Sequence, residues 1–344
     1  MVDEKVLERL VCPKTQKPLT RSGRYLVSPD GYQYPIVEDI PILLVEEEEF
    51  THPAFERSLQ FYREDETHYQ ENKTSPQAVE NGADLYVQQQ IAATNGNLYA
   101  PLIGKLKTYP IPDIRLPRGE GQWLLDIGCN WGRWCLSAAR KGYHVVGIDP
   151  NIDAVLAAQR ISMQLNLPIS YIVADARHLP FMSDTFDYVF SYSVLQHLSK
   201  ENVKKTLLEI AKVLKVGGTS MIQMPNVIGI RNLYNQLRFA LRPDHKENIF
   251  RVRYWSIHEL KQTFSSQIGS TIITVDGFGG LGIQPSDIEM LPPFYQLVVR
   301  SSEFLRRISL SVPLLIYVAD SVYVTSTRSP EIAIEEVAGF GLAQ

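Results

Sequence analysis

The stretch Leu124-Leu125-Asp126-Ile127-Gly128-Cys129-Asn130-Trp131-Gly132 closes an apolar run and opens one with helical spacing. At such a junction an α/β sheet presents the carboxyl end of a strand and the N-terminus of a helix, both rich in backbone groups that hold ligands. Gly128 and Gly132 let the chain turn sharply and let a ligand approach without a Cβ in the way. A dinucleotide fingerprint would need glycine at 128, 130 and 133, but Asn130 and Arg133 occupy the last two positions, which disfavours NAD. No Gly-Lys-Ser/Thr follows the turn, so it is not a P-loop. The next apolar run ends in Asp149-Pro150, about 20 residues on, where a carboxylate accepts both hydroxyls of a ribose. A third ends in Asp175-Ala176, offering a carboxylate for an exocyclic amine and an N–H for a ring nitrogen. A fourth ends in Ser191-Tyr192-Ser193, with Gln196 and His197 just beyond. Tyr192 is a candidate for lining an acceptor site, and His197 for a general base, each weighed against a purely structural role. Cys129 reads as a small residue packed in the turn, and Trp123, Trp131 and Trp134 as wall and core.

These residues need a parallel sheet to bring them together. Apolar runs at Trp123–Ile127, His144–Ile148, Ser170–Val173, Tyr188–Ser191, Ser220–Met224, Thr271–Val275 and Val322–Thr325 predict seven strands. Between them, 133–140, 152–165, 201–214 and 256–264 carry apolar residues at three-to-four spacing and predict helices. Val213 to Gly218 reads as a helix stop and turn. The pattern is α/β, a Rossmann-like sheet flanked by helices. Residues 84–93 and 99–106 predict short helices in a charged, aromatic collar spanning 46–120. The four-part division is residues 1–45, 46–120, 121–330 and a tail at 331–344.

Residues 5–45 predict a β-rich unit, with runs at Val6–Val11, Tyr25–Val27 and Tyr34–Leu44 broken by proline and glycine turns. This segment resembles the zinc-ribbon-like activators of tRNA methyltransferases through Cys12-Pro13-Lys14-Thr15, Pro18-Leu19 and Tyr34-Pro35-Ile36 to Ile40-Pro41. Thr15 stands where that family has its second cysteine, and the later pair is missing around Ser28–Gly31. One thiolate does not hold a tetrahedral zinc. The expectation is a metal-free remnant that leans on the rest of the chain.

The chain of 344 residues, 44% hydrophobic and 21% charged, has ordinary globular composition and length for a catalytic domain with an appendage. Its longest apolar stretch, from Ile308 to Ala319, carries Pro313 and falls short of the about 20 residues a membrane span needs. No signal peptide is visible, and Cys12, Cys129 and Cys135 form no paired framework, so the expected compartment is cytoplasmic. The net charge of −4 is unevenly spread. Residues 1–120 hold 13 basic against 19 acidic side chains, whereas 225–254 hold six against two. The acidic run Glu46 to Glu49 reads as a solvated linker.

Together, the ordered motifs from Trp123 to Asn226 resemble class I S-adenosylmethionine-dependent methyltransferases, within them the type 11 group. The resemblance implies that Asp126, Gly128, Cys129 and Gly132 line the methionine half of S-adenosylmethionine and that Asp149 holds its ribose. It implies further that Pro150 and Asp175-Ala176 frame the adenine, and that Ser191 closes the site beside the sulfonium. In that architecture the segments 225–254 and 277–319 follow strands that end at the cofactor edge, so they should form a cap. A 43-residue connection at 277–319 is expected to be structured and functional. The cap's first half is basic, with Arg231, Arg238, Arg242, Lys246, Arg251 and Arg253; its second is apolar, including Phe294, Tyr295, Val298 and Phe304. The expected acceptor is a small molecule joining an anionic part to a bulky apolar part, O- or C-methylated, with peripheral membrane contact open to the cap. RNA is the rival acceptor, disfavoured by a pI near 6.0 and the acidic N-terminal third. A non-catalytic scaffold is the other alternative.

Overall fold

The computed structural model describes residues 3–46, 54–63, 82–241, 252–280, 282 and 284–330. The predicted strands stand as β5 (Trp123–Ile127), β6 (His144–Asp149), β7 (Ile169–Ala174), β8 (Phe186–Ser191), β9 (Leu214–Pro225), β10 (Gly269–Gly277) and β11 (Ser321–Arg328). Their order across the sheet is β7-β6-β5-β8-β9-β11-β10, with β11 antiparallel to both neighbours and the rest parallel. This is the mixed α/β, Rossmann-like arrangement that the alternating pattern predicts. The sheet order reverses about β5, so the carboxyl ends of β5 and its neighbours flank the crevice where α/β sheets bind ligands.

Helices cover both faces. Phe55 and Leu59 of α2 (Ala54–Arg63) share one core with Trp134, Cys135 and Ala138 of α4 (Arg133–Arg140) and Val155 and Leu156 of α5 (Ile152–Gln164). On the other face, α6 (Lys200–Val213) buries Val203, Leu207 and Ile210, and α8 (Ile257–Gln267) buries Leu260 and Phe264. Ser256 and Glu259 form a reciprocal capping box that fixes where α8 begins. The collar adds α3 (Leu85–Asn95), which starts where Asp84 accepts from the Tyr86 N–H. Residues 99–106 differ from the predicted helix: a 3-10 turn runs over Asn97–Leu102 and holds Pro101, which has no N–H to extend an α-helix. Val213 to Gly218 also differs, because β9 begins directly at Leu214 and takes up the glycines as a register irregularity opposite Phe186–Tyr188.

The N-terminal unit is continuous with the sheet. β1 (Thr20–Ser22), β2 (Tyr25–Val27), β3 (Gln33–Val37) and β4 (Ile40–Leu43) form an antiparallel meander, and β4 then pairs parallel with β7 through Ile42–Val173 and Leu43–Ala174. Glu38 and Asp39, at φ +47° and +65°, split the predicted 34–44 run into a two-residue hairpin. The run at 6–11 is a helical turn, α1 (Glu4–Leu7), followed by single bridges at Leu10 and Val11. Its apolar residues fall at 6, 7, 10 and 11, a spacing of one helix face, and Asp3 caps it. Val6, Leu10, Cys12, Leu19, Leu26 and Tyr34 are buried in the same core as Leu179 and Phe181.

The cap segments lie at the carboxyl edge. The first holds α7 (Ile230–Leu241); Arg242, Lys246 and Arg251 lie outside the described residues, as do Glu47 to Glu49 of the acidic run and the 331–344 tail. The second holds a 3-10 turn over Pro285–Met290, α9 (Pro293–Ser309) and a 3-10 turn over Pro313–Tyr317.

Candidate active site

Three alternate positions are left-handed in the turn after β5: Gly128 at φ +72°, Asn130 at +47° and Gly132 at +81°. At Gly128 a Cβ would overlap the γ-methyls of Val194, and at Gly132 it would lie 2.5 Å from the Tyr171 hydroxyl. Both positions therefore need glycine on conformation and on space. Asn130 tolerates the αL region and caps its own turn, its side-chain oxygen accepting from the Trp131 N–H at 2.8 Å.

Asp149, at the end of β6, ties this turn to the next one. Its Oδ2 accepts from the Asn130 N–H and its Oδ1 from the Asn151 N–H, both at 2.9 Å. Burial pushes its pKa up to about 6 against the pull of those two N–H donors. A carboxylate has about four lone-pair sites, so each oxygen keeps acceptor capacity for a ribose hydroxyl. The cradle over Gly128, Asn130 and Gly132 and the half-filled Asp149 together fit S-adenosylmethionine. Asp126 is buried below, with its carboxyl accepting from the Cys135 thiol at 3.1 Å. Burial, and secondarily the charge of Asp149, push its pKa up to about 7.

Several predicted site residues have protein partners of their own. The Cys129 thiol is buried beside Cys135 and Gly147 and donates to the Asn130 carbonyl at 3.7 Å, and burial raises its pKa to about 11. Asp175 is held by Arg177 through both carboxylate oxygens, with Nη2 to Oδ2 at 2.6 Å, so the pair and not the lone carboxylate borders Ala176. The Ser191 hydroxyl is buried and donates to the Ile127 carbonyl at 2.9 Å, joining β8 to β5. The Pro150 carbonyl accepts from Ser58 of α2 at 2.6 Å, and the same hydroxyl accepts from the Ile152 N–H.

Tyr192 enters a buried polar network instead of an open pocket. Its hydroxyl donates to Asp276 Oδ2 at 2.8 Å and accepts from Gln284 at 2.9 Å. Asp276 also receives Ser321 at 2.7 Å and Arg115 at 2.9 Å. Gln223 continues the chain, donating to Ser321 and accepting from the Ser193 N–H at 2.8 Å. Burial holds the Tyr192 phenol far above its ordinary pKa, so it stays protonated at neutral pH. His197 sits on a 3-10 turn (Leu195–His197), with Nε2 3.2 Å from the Gln196 amide and its carbonyl accepting from Arg253.

Residues that local reasoning missed come from the collar and cap. Tyr86 of α3 reaches the Asn151 amide at 3.4 Å beside Asp149, and burial raises its pKa strongly. Arg133, one residue past the turn, pairs with buried Asp287 of the cap, which also accepts from Tyr99. That triad fastens turn, collar and cap to one another. A cavity of about 220 Å³, lined by Asn97, Leu98, Arg231, Phe294, Tyr295 and Val298, opens between collar and cap. A larger one, about 290 Å³, lies by Trp123, His144 and Ile169 at the amino ends of the strands, the end of the sheet opposite the glycine turn.

Residues 124–218 match the family described as a methyltransferase domain. The chain thus carries a class I, S-adenosylmethionine-dependent methyltransferase domain. Over 106 residues it is 35% identical to phosphoethanolamine N-methyltransferase 2 of Caenorhabditis elegans, covering 30% of this chain and 24% of that protein. Over 141 residues it is 30% identical to ubiquinone biosynthesis O-methyltransferase of Rhizobium etli, covering 39% and 56%. Over 133 residues it is 31% identical to tRNA U34 carboxymethyltransferase of Desulfotalea psychrophila, covering 38% of each. The chain spans from about a quarter to about half of the length of these relatives.

Proposed function

We propose that the chain transfers a methyl group from S-adenosylmethionine to an acceptor that joins an anionic group to an apolar body and sits between the glycine turn and the cap. The observation that carries this reading is Arg231 facing Phe294, Tyr295 and Val298 across one cavity at the carboxyl edge of the sheet. A guanidinium beside aromatic and aliphatic walls fits an acid or phosphate on a greasy skeleton. The cofactor, when bound, supplies an electrophilic methyl on a sulfonium, so the protein's task is alignment. Gly128, Asn130 and Gly132 would cradle its amino-acid half and Asp149 its ribose, while Arg177 and Asp175 fix the loop beside Ala176. Tyr192, held by Asp276 and Gln284, positions the wall between turn and cap. For a hydroxyl acceptor, His197 is the base this reading assigns.

The matched relatives differ in acceptor by name, so the acceptor is argued from the cap and not from them. RNA remains the second reading, favoured by the partial match to a tRNA-modifying enzyme. The N-terminal unit's likeness to methyltransferase activators is read as architectural: the Cys12 thiol lies buried 3.1 Å from the Tyr34 hydroxyl. Incubation with labelled cofactor and cell extract tests the proposal. A labelled small anionic amphiphile is expected, with turnover reduced in Arg231→Glu; label lost on ribonuclease treatment would overturn it in favour of RNA.

A further inference from the structure

Helix α7 is built inside out. The residues it turns toward the domain are polar: the buried Asn232 amide donates to the carbonyls of Asn226 and Asp320 at 2.9 and 2.7 Å, and Gln236 donates to that of Val227 at 2.7 Å. Its apolar residues Ile230, Leu233, Tyr234, Leu237 and Leu241 are 45% to 82% exposed. At about 100° per residue these five fall within an arc of about 100°, the stripe that a surface helix ordinarily buries. Helix α9 also exposes an apolar stripe, with Phe294, Leu297 and Phe304 between 63% and 70% exposed on one face while Val299 and Ser302 turn inward.

Charge borders both stripes with one sign. Arg231 and Arg238 run along one side of the α7 stripe, and Arg300 along one side of the α9 stripe. No acidic residue occurs from 230 to 241, and Glu303, the single one from 293 to 318, is paired with both Arg306 and Arg307, at 2.6 and 3.0 Å. The two helices meet at the cavity that Arg231 shares with Phe294.

We infer that the cap docks on an anionic lipid bilayer, with the α7 and α9 stripes entering the boundary of headgroups and acyl chains and Arg238 and Arg300 on lipid phosphates. An apolar arc rimmed by arginines matches the two chemistries stacked at that boundary. A helix of 12 residues and one of 17 lie in such an interface without crossing it, and among the described residues no helix is long and apolar enough to cross. The inference does not depend on what the domain methylates.

Flotation of the full chain with phosphatidylcholine vesicles, with and without phosphatidylglycerol, tests it. The protein is expected to float with the anionic vesicles and to be released by high salt. Leu237→Glu with Leu241→Glu should abolish flotation, and Arg238→Glu and Arg300→Glu should each weaken it by about fivefold or more. Absence of binding to anionic vesicles overturns the inference, as does undiminished binding by the Leu237→Glu/Leu241→Glu variant. Concentration-dependent self-association that this same variant abolishes, without lipid binding, overturns it in favour of a second copy on this face.

Discussion

Asp149 Oδ2 and the backbone N–H of Asn130 lie 2.9 Å apart, so the end of β6 and the left-handed crest of the turn after β5 form one rigid corner. In the cofactor site proposed above, the carboxylate and the backbone of the turn are set by the same bond. Removing that carboxylate disturbs both halves of the cofactor cradle.

Asp149→Ala should weaken S-adenosylmethionine binding by about a hundredfold, the loss of two hydrogen bonds to a charged acceptor at about 1.5 kcal/mol each. Calorimetry measures this directly. Equal affinity in mutant and wild type would remove Asp149 from the cofactor site.

The pKa of Asp149, about 6, gives cofactor binding a pH dependence of known sign. As pH falls through that value the carboxylate takes up a proton and loses acceptor strength, so affinity should drop toward pH 5 and level off above pH 7. Binding near pH 6 should release protons, seen as a dependence of the calorimetric heat on the buffer's ionisation enthalpy. Asp149→Asn should flatten both effects.

Gly128→Ala places a Cβ into the Val194 γ-methyls at a backbone φ of +72°. The overlap and the left-handed backbone should together cost about 2–4 kcal/mol in denaturant unfolding. Adding Val194→Ala should recover the overlap's share and leave about 1 kcal/mol of backbone strain. No recovery in the double variant would show that Val194 does not set the limit.

Asp276→Ala leaves Tyr192, Ser321 and Arg115 without their shared partner, and should cost about 3–5 kcal/mol. Tyr192→Phe removes one donor and leaves the other two, for about 1–2 kcal/mol. If the network positions the acceptor wall, Tyr192→Phe lowers kcat while cofactor affinity stays unchanged. A parallel fall in cofactor affinity would place the network on the other side of the site.

What could be read from the sequence was local in character. The turn at Gly128 to Gly132, Asp149, and the seven strands β5 to β11 announce themselves through neighbouring residues, because a strand end followed by a glycine turn and a helix leaves its mark within ten positions. Ser191, Tyr192 and Asp175 stand at or just past strand ends, as their neighbours in the sequence predict, but their partners Ile127, Asp276 and Arg177 decide what they do, and no periodicity reports a partner. Ser58, Tyr86 and Asp287 arrive from 92, 65 and 154 residues away. The inside-out packing of α7 escaped for a related reason: its spacing shows amphipathicity, not which face meets the domain.

The pairing of β4 with β7 also bears on how one edge of the sheet is closed. Without it, β7, with Tyr171, Ile172 and Val173 at its centre, would present an open row of main-chain donors and acceptors, the template on which strands of other molecules add. The meander moves that frontier to β1, three exposed residues reading Thr-Arg-Ser. Its brevity and its charged, polar side chains discourage further addition. Residues 5–45 therefore serve as insulation: they finish the sheet on the β7 side with an edge too short and too polar to extend.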